Sequence, residues 1–228
     1  MAHRGAVGTL AAEGDQAPTP PKPLLRGVAH EVAAFAFPVL GVVAVIVART
    51  AGARVAVAVY VLGVTAMYAT SACYHRGQWT TGAKRRMRRL DHSMILVGIA
   101  STYTPVAAVG LPPGTAWVLL TTVWSLAVVG VVLRNAWLTA PRWLTAAVYL
   151  VVGWAALAAL PTMWSHLGVA AFVLVLTGGL VYSLGALVYS RRRPDPWPAI
   201  FGYHEVFHAL VVVAGLLFYA AVLVVVTT

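Results

Sequence analysis

The sequence is poor in sulfur, in acid and in charge altogether. Cys73 is its single cysteine, which excludes an internal disulfide framework. Charged residues fill only 10% of the 228 positions, where a soluble domain carries about 25%. Hydrophobic residues make up 61%, and the mean hydropathy is +0.84. That balance excludes an ordinary soluble enzyme and predicts an integral membrane protein. The two lysines, Lys22 and Lys84, both fall outside the apolar runs, so no span offers a Schiff-base lysine for a retinal-type pigment.

What is present is a succession of seven apolar runs: 28–48, 55–74, 92–109, 116–133, 144–160, 167–189 and 201–226. Each is about 17–25 residues long, the length at which an α-helix crosses ~30 Å of hydrocarbon. The shorter alternating segments of a β-barrel are missing. The expected fold is therefore an all-α, seven-transmembrane helix bundle, with a kink at Pro105 in the third span. Residues 1–26, polar and proline-rich, read as a disordered tail, and 27–228 as the membrane domain. Gly179 and Ser183 are expected to form a close helix-packing face.

Charge fixes the orientation. Sixteen Lys and Arg stand against six Asp and Glu. With seven spans, fourteen of the sixteen cations fall on the side of the tail, leaving Arg49 and Arg54 on the other. Such a split places the N-terminus in the cytoplasm and the C-terminus outside. The Lys84–Arg89 run, read as a short loop at the bilayer surface, is expected to meet anionic lipid head groups at the cytoplasmic face rather than nucleic acid. Trp79, Trp117, Trp137, Trp143, Trp164 and Trp197 flank the spans, as an interfacial aromatic belt does. A fourteen-to-two preference for Arg over Lys, with abundant Ala, Val and Gly, points to a bacterial protein of the cytoplasmic membrane.

Against this apolar background a few ionisable residues stand out, because each is costly in a membrane. His30, Glu31, His75, Asp91, His92, His204, Glu205 and His208 all fall at the cytoplasmic ends of their spans. His204 and His208 share one helix face at the i, i+4 spacing that lets two imidazoles hold one metal. His75 supplies a third imidazole, with Ser71 one turn away. Three histidines with an open position are the donor set of a catalytic zinc site. Asp91 is the expected carboxylate beside the attacking water, and Ser71 its support. His30, His92 and His166 are expected only to cap helices or snorkel. Glu205 lies within H204-E-V-F-H208, which also fits the short H-E-x-x-H pattern of zinc proteases.

The segments K22-P-L-L-R-G-V-A-H30, S71-A-C-Y-H75, R88-R-L-D-H-S-M-I95 with S101-T-Y-T-P105, and R193-P-D-P-W-P-A-I-F-G-Y-H-E-V-F-H208 resemble the hemolysin III family. That family sits within the seven-span progesterone and adipoQ receptor group. The resemblance implies zinc on His75, His204 and His208 near the cytosolic face, with Asp91 touching the bound water. It also implies membrane lipids as partners and a part in lipid homeostasis.

The expected function is a zinc-dependent hydrolase of lipid amide or ester bonds. The alternative is a non-enzymatic receptor, sensor or hemolysin-type channel with a structural zinc. An intramembrane metalloprotease using Glu205 ranks below both.

Overall fold

The computed structural model describes residues 22–137 and 139–228. Among them there is no strand. The chain forms α1 (Val28–Val47), α2 (Ala51–Arg76), α3 (Thr81–Gly110), α4 (Pro113–Ala136), α5 (Arg142–Gly153), a 3-10 helix (Ala155–Ala159), α6 (Leu160–His166), α7 (Gly168–Arg191) and α8 (Tyr203–Thr227). Among the described residues, seven segments are long and apolar enough to cross a membrane, with α5, the 3-10 helix and α6 together making the fifth. The protein is a seven-helix multi-pass membrane protein. Its large apolar side chains divide accordingly. Phe37, Tyr60, Tyr68, Leu96 and Val123 are fully buried, whereas Phe35, Leu62 and Ile46 are at least 70% exposed. Such outward apolar surface is stable only against lipid.

Polar residues set the helix ends. The Thr50 hydroxyl accepts the Ala53 N–H at 3.1 Å and the Thr80 hydroxyl that of Ala83 at 3.4 Å, capping α2 and α3. Inside the bundle α2 packs chiefly on α3 and α1, and α7 on α8. At the α2–α3 crossing, a Cβ on Gly63 would stand 1.9 Å from Ser101 Oγ, so only glycine allows that approach. Buried tyrosine hydroxyls bond to carbonyls of neighbouring helices. Tyr219 donates to Leu40 at 2.9 Å and Tyr60 to Gly215 at 3.3 Å. Six tryptophans of the expected belt, from Trp79 at 39% to Trp117 at 74%, are exposed. Trp154 turns inward, its indole N–H donating to Ser183 Oγ at 2.9 Å. The Gly179–Ser183 face thus receives Trp154 of the adjoining α5 cap rather than a second backbone.

Three boundaries differ from the sequence reading. The third helix begins at Thr81, eleven residues before the apolar run, so Lys84–Arg89 is not a loop but its first turns. Basic residues are good helix formers, and hydropathy alone cannot see a helix that leaves the hydrocarbon. The fifth span is broken at Trp154 and resumes at Leu160. Of the proposed 1–26 tail, residues 1–21 lie outside the described residues, but Leu24 and Leu25 belong to the bundle. Their N–H groups donate to the carbonyls of Ala199 and Ile200 at 3.0 Å each.

Candidate metal centre

Four helices deliver their polar residues to one end of the bundle. α2 ends with His75 in its last turn, α1 carries His30 in its first, α8 carries His204 and His208 in its first two, and α3 brings Asp91 from its third turn. Up-and-down threading places these ends together. Gly27 enters α1 at φ +82°, a region that favours glycine, and a Cβ there would lie 2.8 Å from that of His75. The start of α1 is thereby pressed against the end of α2. α8 starts sharply because Glu205 Oε2 accepts the Gly202 N–H at 2.9 Å and Asp195 Oδ1 accepts the Tyr203 N–H at 2.7 Å.

The three expected histidines meet. Nε2 of His204 and Nε2 of His75 are 3.1 Å apart, and one donor atom from each of His75, His204 and His208 lies within 4.8 Å of the others. Nitrogens bound at about 2.0–2.1 Å to a tetrahedral ion stand about 3.3 Å from one another, so the spacing fits a zinc-sized ion after small side-chain shifts. His208 is 2% exposed and its Nδ1 has no hydrogen-bond partner among the described residues. Asp91, also buried, lines the same cavity as the three histidines. The Ser71 hydroxyl lies close to its carboxylate, and the carboxylate is 3.3 Å from Nδ1 of His92.

Two histidines were misjudged from sequence. His30 is 4% exposed, its ring stacked on His208 at 3.9 Å between centroids and 8° from parallel. It braces a ligand candidate instead of snorkelling. The signal was available, since His30 starts its span at the end where His75 finishes its own. His92, one residue from Asp91, reaches back to that carboxylate and to the Arg88 carbonyl at 2.9 Å. His166 is exposed at the opposite end, bonded to the Thr162 carbonyl at 3.0 Å, as expected.

Glu205 faces away from the histidines. One oxygen caps α8 and the other pairs with Arg26, the carboxylate being 2% exposed. Lys22 donates to the His75 carbonyl. Burial and the charges of Arg26, Lys84 and Arg76 pull its ammonium below the usual lysine range. Breaking a buried pair costs about 3–5 kcal/mol. Glu205→Gln is therefore expected to lower the melting temperature while leaving bound metal near one per chain, read by metal analysis beside thermal unfolding. Loss of metal in that variant would return Glu205 to the site.

Beyond the histidines a deep apolar cavity opens. Along α3 its wall runs from Asp91 to Val106, about 22 Å at 1.5 Å per residue. Ile99, Leu157, Met163 and Phe218 line it on different helices. One end is polar and metal-compatible; the remainder is hydrocarbon-like.

Comparison with known proteins agrees with this architecture. Residues 19–219 match the family model described as "Haemolysin-III related". The chain is 36% identical over 122 residues to the hemolysin-3 homolog of Bacillus subtilis (strain 168), covering 54% of each chain. It is 29% identical over 176 residues, 76% of each, to hemolysin-3 of Bacillus cereus. A shorter match, 37% over 91 residues, covers 36% of this chain and 40% of heptahelical transmembrane protein ADIPOR2 of Oryza sativa subsp. japonica. The aligned region thus spans about half of the first of these relatives. No solved structure matches. With nearly its whole described length matched by one family model and seven spans in place, the chain belongs to the haemolysin-III related family of multi-pass membrane proteins.

Proposed function

We propose that the protein is a zinc-dependent hydrolase of lipid amide or ester bonds that serves membrane-lipid homeostasis. One observation carries this reading: the cluster of His75, His204 and His208 opens, beside Asp91, into an apolar cavity whose wall follows α3 for about 22 Å. His75, His204 and His208 hold the ion. Zinc, when held there, supplies Lewis-acid activation of water and of the scissile carbonyl. The Asp91 carboxylate accepts the proton of the attacking water and returns it to the leaving group. Ser71 and His92 fix the Asp91 oxygens, and His30 keeps the His208 ring in plane. The apolar walls align the acyl chain and exclude bulk water. Glu205, held by Arg26 and its own helix cap, takes no part, which speaks against a metalloprotease.

Fatty-acid release from a defined lipid panel by the purified protein tests this directly. Zinc-dependent release, abolished by a chelator and restored by zinc, is expected. Zinc-loaded protein that releases nothing from any amide or ester lipid contradicts it. The second reading, a receptor, sensor or channel whose zinc only ties α2 to α8, is favoured by the 3.1 Å approach of His75 to His204 across those helices. Under that reading chelation lowers stability and no lipid is turned over.

The fourteen-to-two division of cations supports a cytoplasmic position for the histidine end. A reporter inserted between Gly77 and Thr80 is expected to read cytoplasmic and one fused after Thr228 extracytoplasmic. Both reporting the same side would refute this orientation.

A further inference from the structure

The cationic start of α3 does more than mark the inner side of a membrane. At about 100° per residue, Lys84, Arg85, Arg88 and Arg89 fall within one arc of about 140° on that helix. Arg86 points elsewhere. The same arc, followed toward the bilayer, carries His92, Ile95, Ile99, Thr102, Tyr103 and Val106, and each of these lines the deep cavity. A separate groove is formed by Lys84, Arg85, Arg88 and Arg89 with Tyr74, Thr81 and Thr139. It contains no carboxylate, and among the described residues none of its four cations has an acidic partner. Lys84 with Arg88 and Arg85 with Arg89 are like-charge pairs one turn apart, which destabilise a helix unless an anion sits between them. Tyr74, in the groove wall, adjoins His75, their rings 4.7 Å apart.

One face of α3 therefore presents, in order, four cations with no acidic partner among the described residues, the Asp91–His92 turn beside the histidine cluster, and an apolar channel. An amphiphile matching it has a phosphate at one end and an acyl chain at the other. We propose that Lys84, Arg85, Arg88 and Arg89, with Tyr74 and Thr81, bind the phosphate of an anionic phospholipid whose acyl chain occupies the cavity. The inference shares with the hydrolase reading only the assumption that the cavity takes a lipid chain. It narrows the ligand to anionic lipids, with the linkage between head and chain lying at the metal centre.

The test is lipid retention by the full-length protein in detergent, read by native mass spectrometry. The probes are phosphatidylglycerol and phosphatidylcholine with identical dioleoyl chains. Wild-type protein is expected to retain the anionic lipid about tenfold better, a modest share of what several cations near a surface can supply. R85Q/R88Q/R89Q is expected to erase that preference. Arg86→Gln and R191Q/R192Q/R193Q, which remove charge at the same membrane face outside the groove, are expected to keep it. Ile99→Trp, which fills the channel, is expected to weaken retention because head and chain belong to one molecule. Circular dichroism and gel filtration identify variants that remain folded.

Equal loss in R85Q/R88Q/R89Q and R191Q/R192Q/R193Q would reduce the groove to general electrostatics and overturn the proposal. Retention unchanged by Ile99→Trp would also overturn it, by detaching the head-group site from the cavity. Displacement of the lipid by an equal concentration of glycerol 3-phosphate would instead identify a soluble phosphate ligand. Retention needs no turnover. Selective binding without fatty-acid release would refute the hydrolase reading and leave this site standing; hydrolysis with no head-group preference would do the reverse.

Discussion

Replacing His75, His204 or His208 by alanine is expected to cut bound zinc from about one per chain to less than about a tenth, because a three-imidazole site has no ligand to spare. The three side chains come from two helices, so each loss also removes a tie between α2 and α8. Added zinc is expected to raise the melting temperature of the wild type, since an ion that binds only the folded chain stabilises it by mass action. It should leave the three variants unmoved. His166→Ala is the internal control and is expected to match the wild type, its imidazole being exposed at the other end of the bundle. Metal analysis with thermal unfolding decides the matter. Full zinc in all three variants, or equal loss in His166→Ala, would place the ion elsewhere.

Asp91→Ala is expected to separate metal from activity. Asp91 stands beside the cluster, flanked by Ser71 and His92, and on the proposed reading it accepts a proton instead of carrying the ion. Zinc content is therefore expected to fall little, while fatty-acid release falls at least about 100-fold, the upper range for groups that act around a bound metal. Asp91→Asn, which keeps the shape and loses the base, should behave alike. Ser71→Ala and His92→Ala only loosen the carboxylate and are expected to cost about tenfold in turnover. If Asp91→Ala kept its turnover, proton transfer would belong to another group. If it lost zinc as His208→Ala does, Asp91 would be a ligand.

The membrane architecture was legible in the sequence because lipid imposes a simple rule: every span must be helical, long and apolar. The histidine cluster was legible for a related reason, since charge and imidazole at matching span ends are too costly to be incidental. What stayed hidden depends on side-chain direction. His92 reads from sequence as a cap or a snorkelling residue, yet its imidazole swings back to the Asp91 carboxylate. His30 looked like a helix cap, but packing slid it under the ring of His208. Glu205 fits a protease pattern, and only the fold shows both its oxygens spent on Arg26 and the Gly202 N–H. The first turns of α3 were invisible to hydropathy, since they are helical without being apolar. The break at Trp154 follows Gly153, and Pro161 sits in the first turn of α6, but hydropathy runs unbroken across both.

On the proposed reading, His75, His204 and His208 together bind one zinc and leave a position open. X-ray absorption at the zinc edge of the purified, zinc-loaded protein tests it most directly. The expected spectrum shows three imidazole nitrogens at about 2.0–2.1 Å and one further light ligand, without sulfur. The imidazole outer-shell scattering should drop in His208→Ala. A shell dominated by carboxylate oxygen or containing sulfur, or an imidazole signal that His208→Ala leaves intact, would contradict the three-histidine centre.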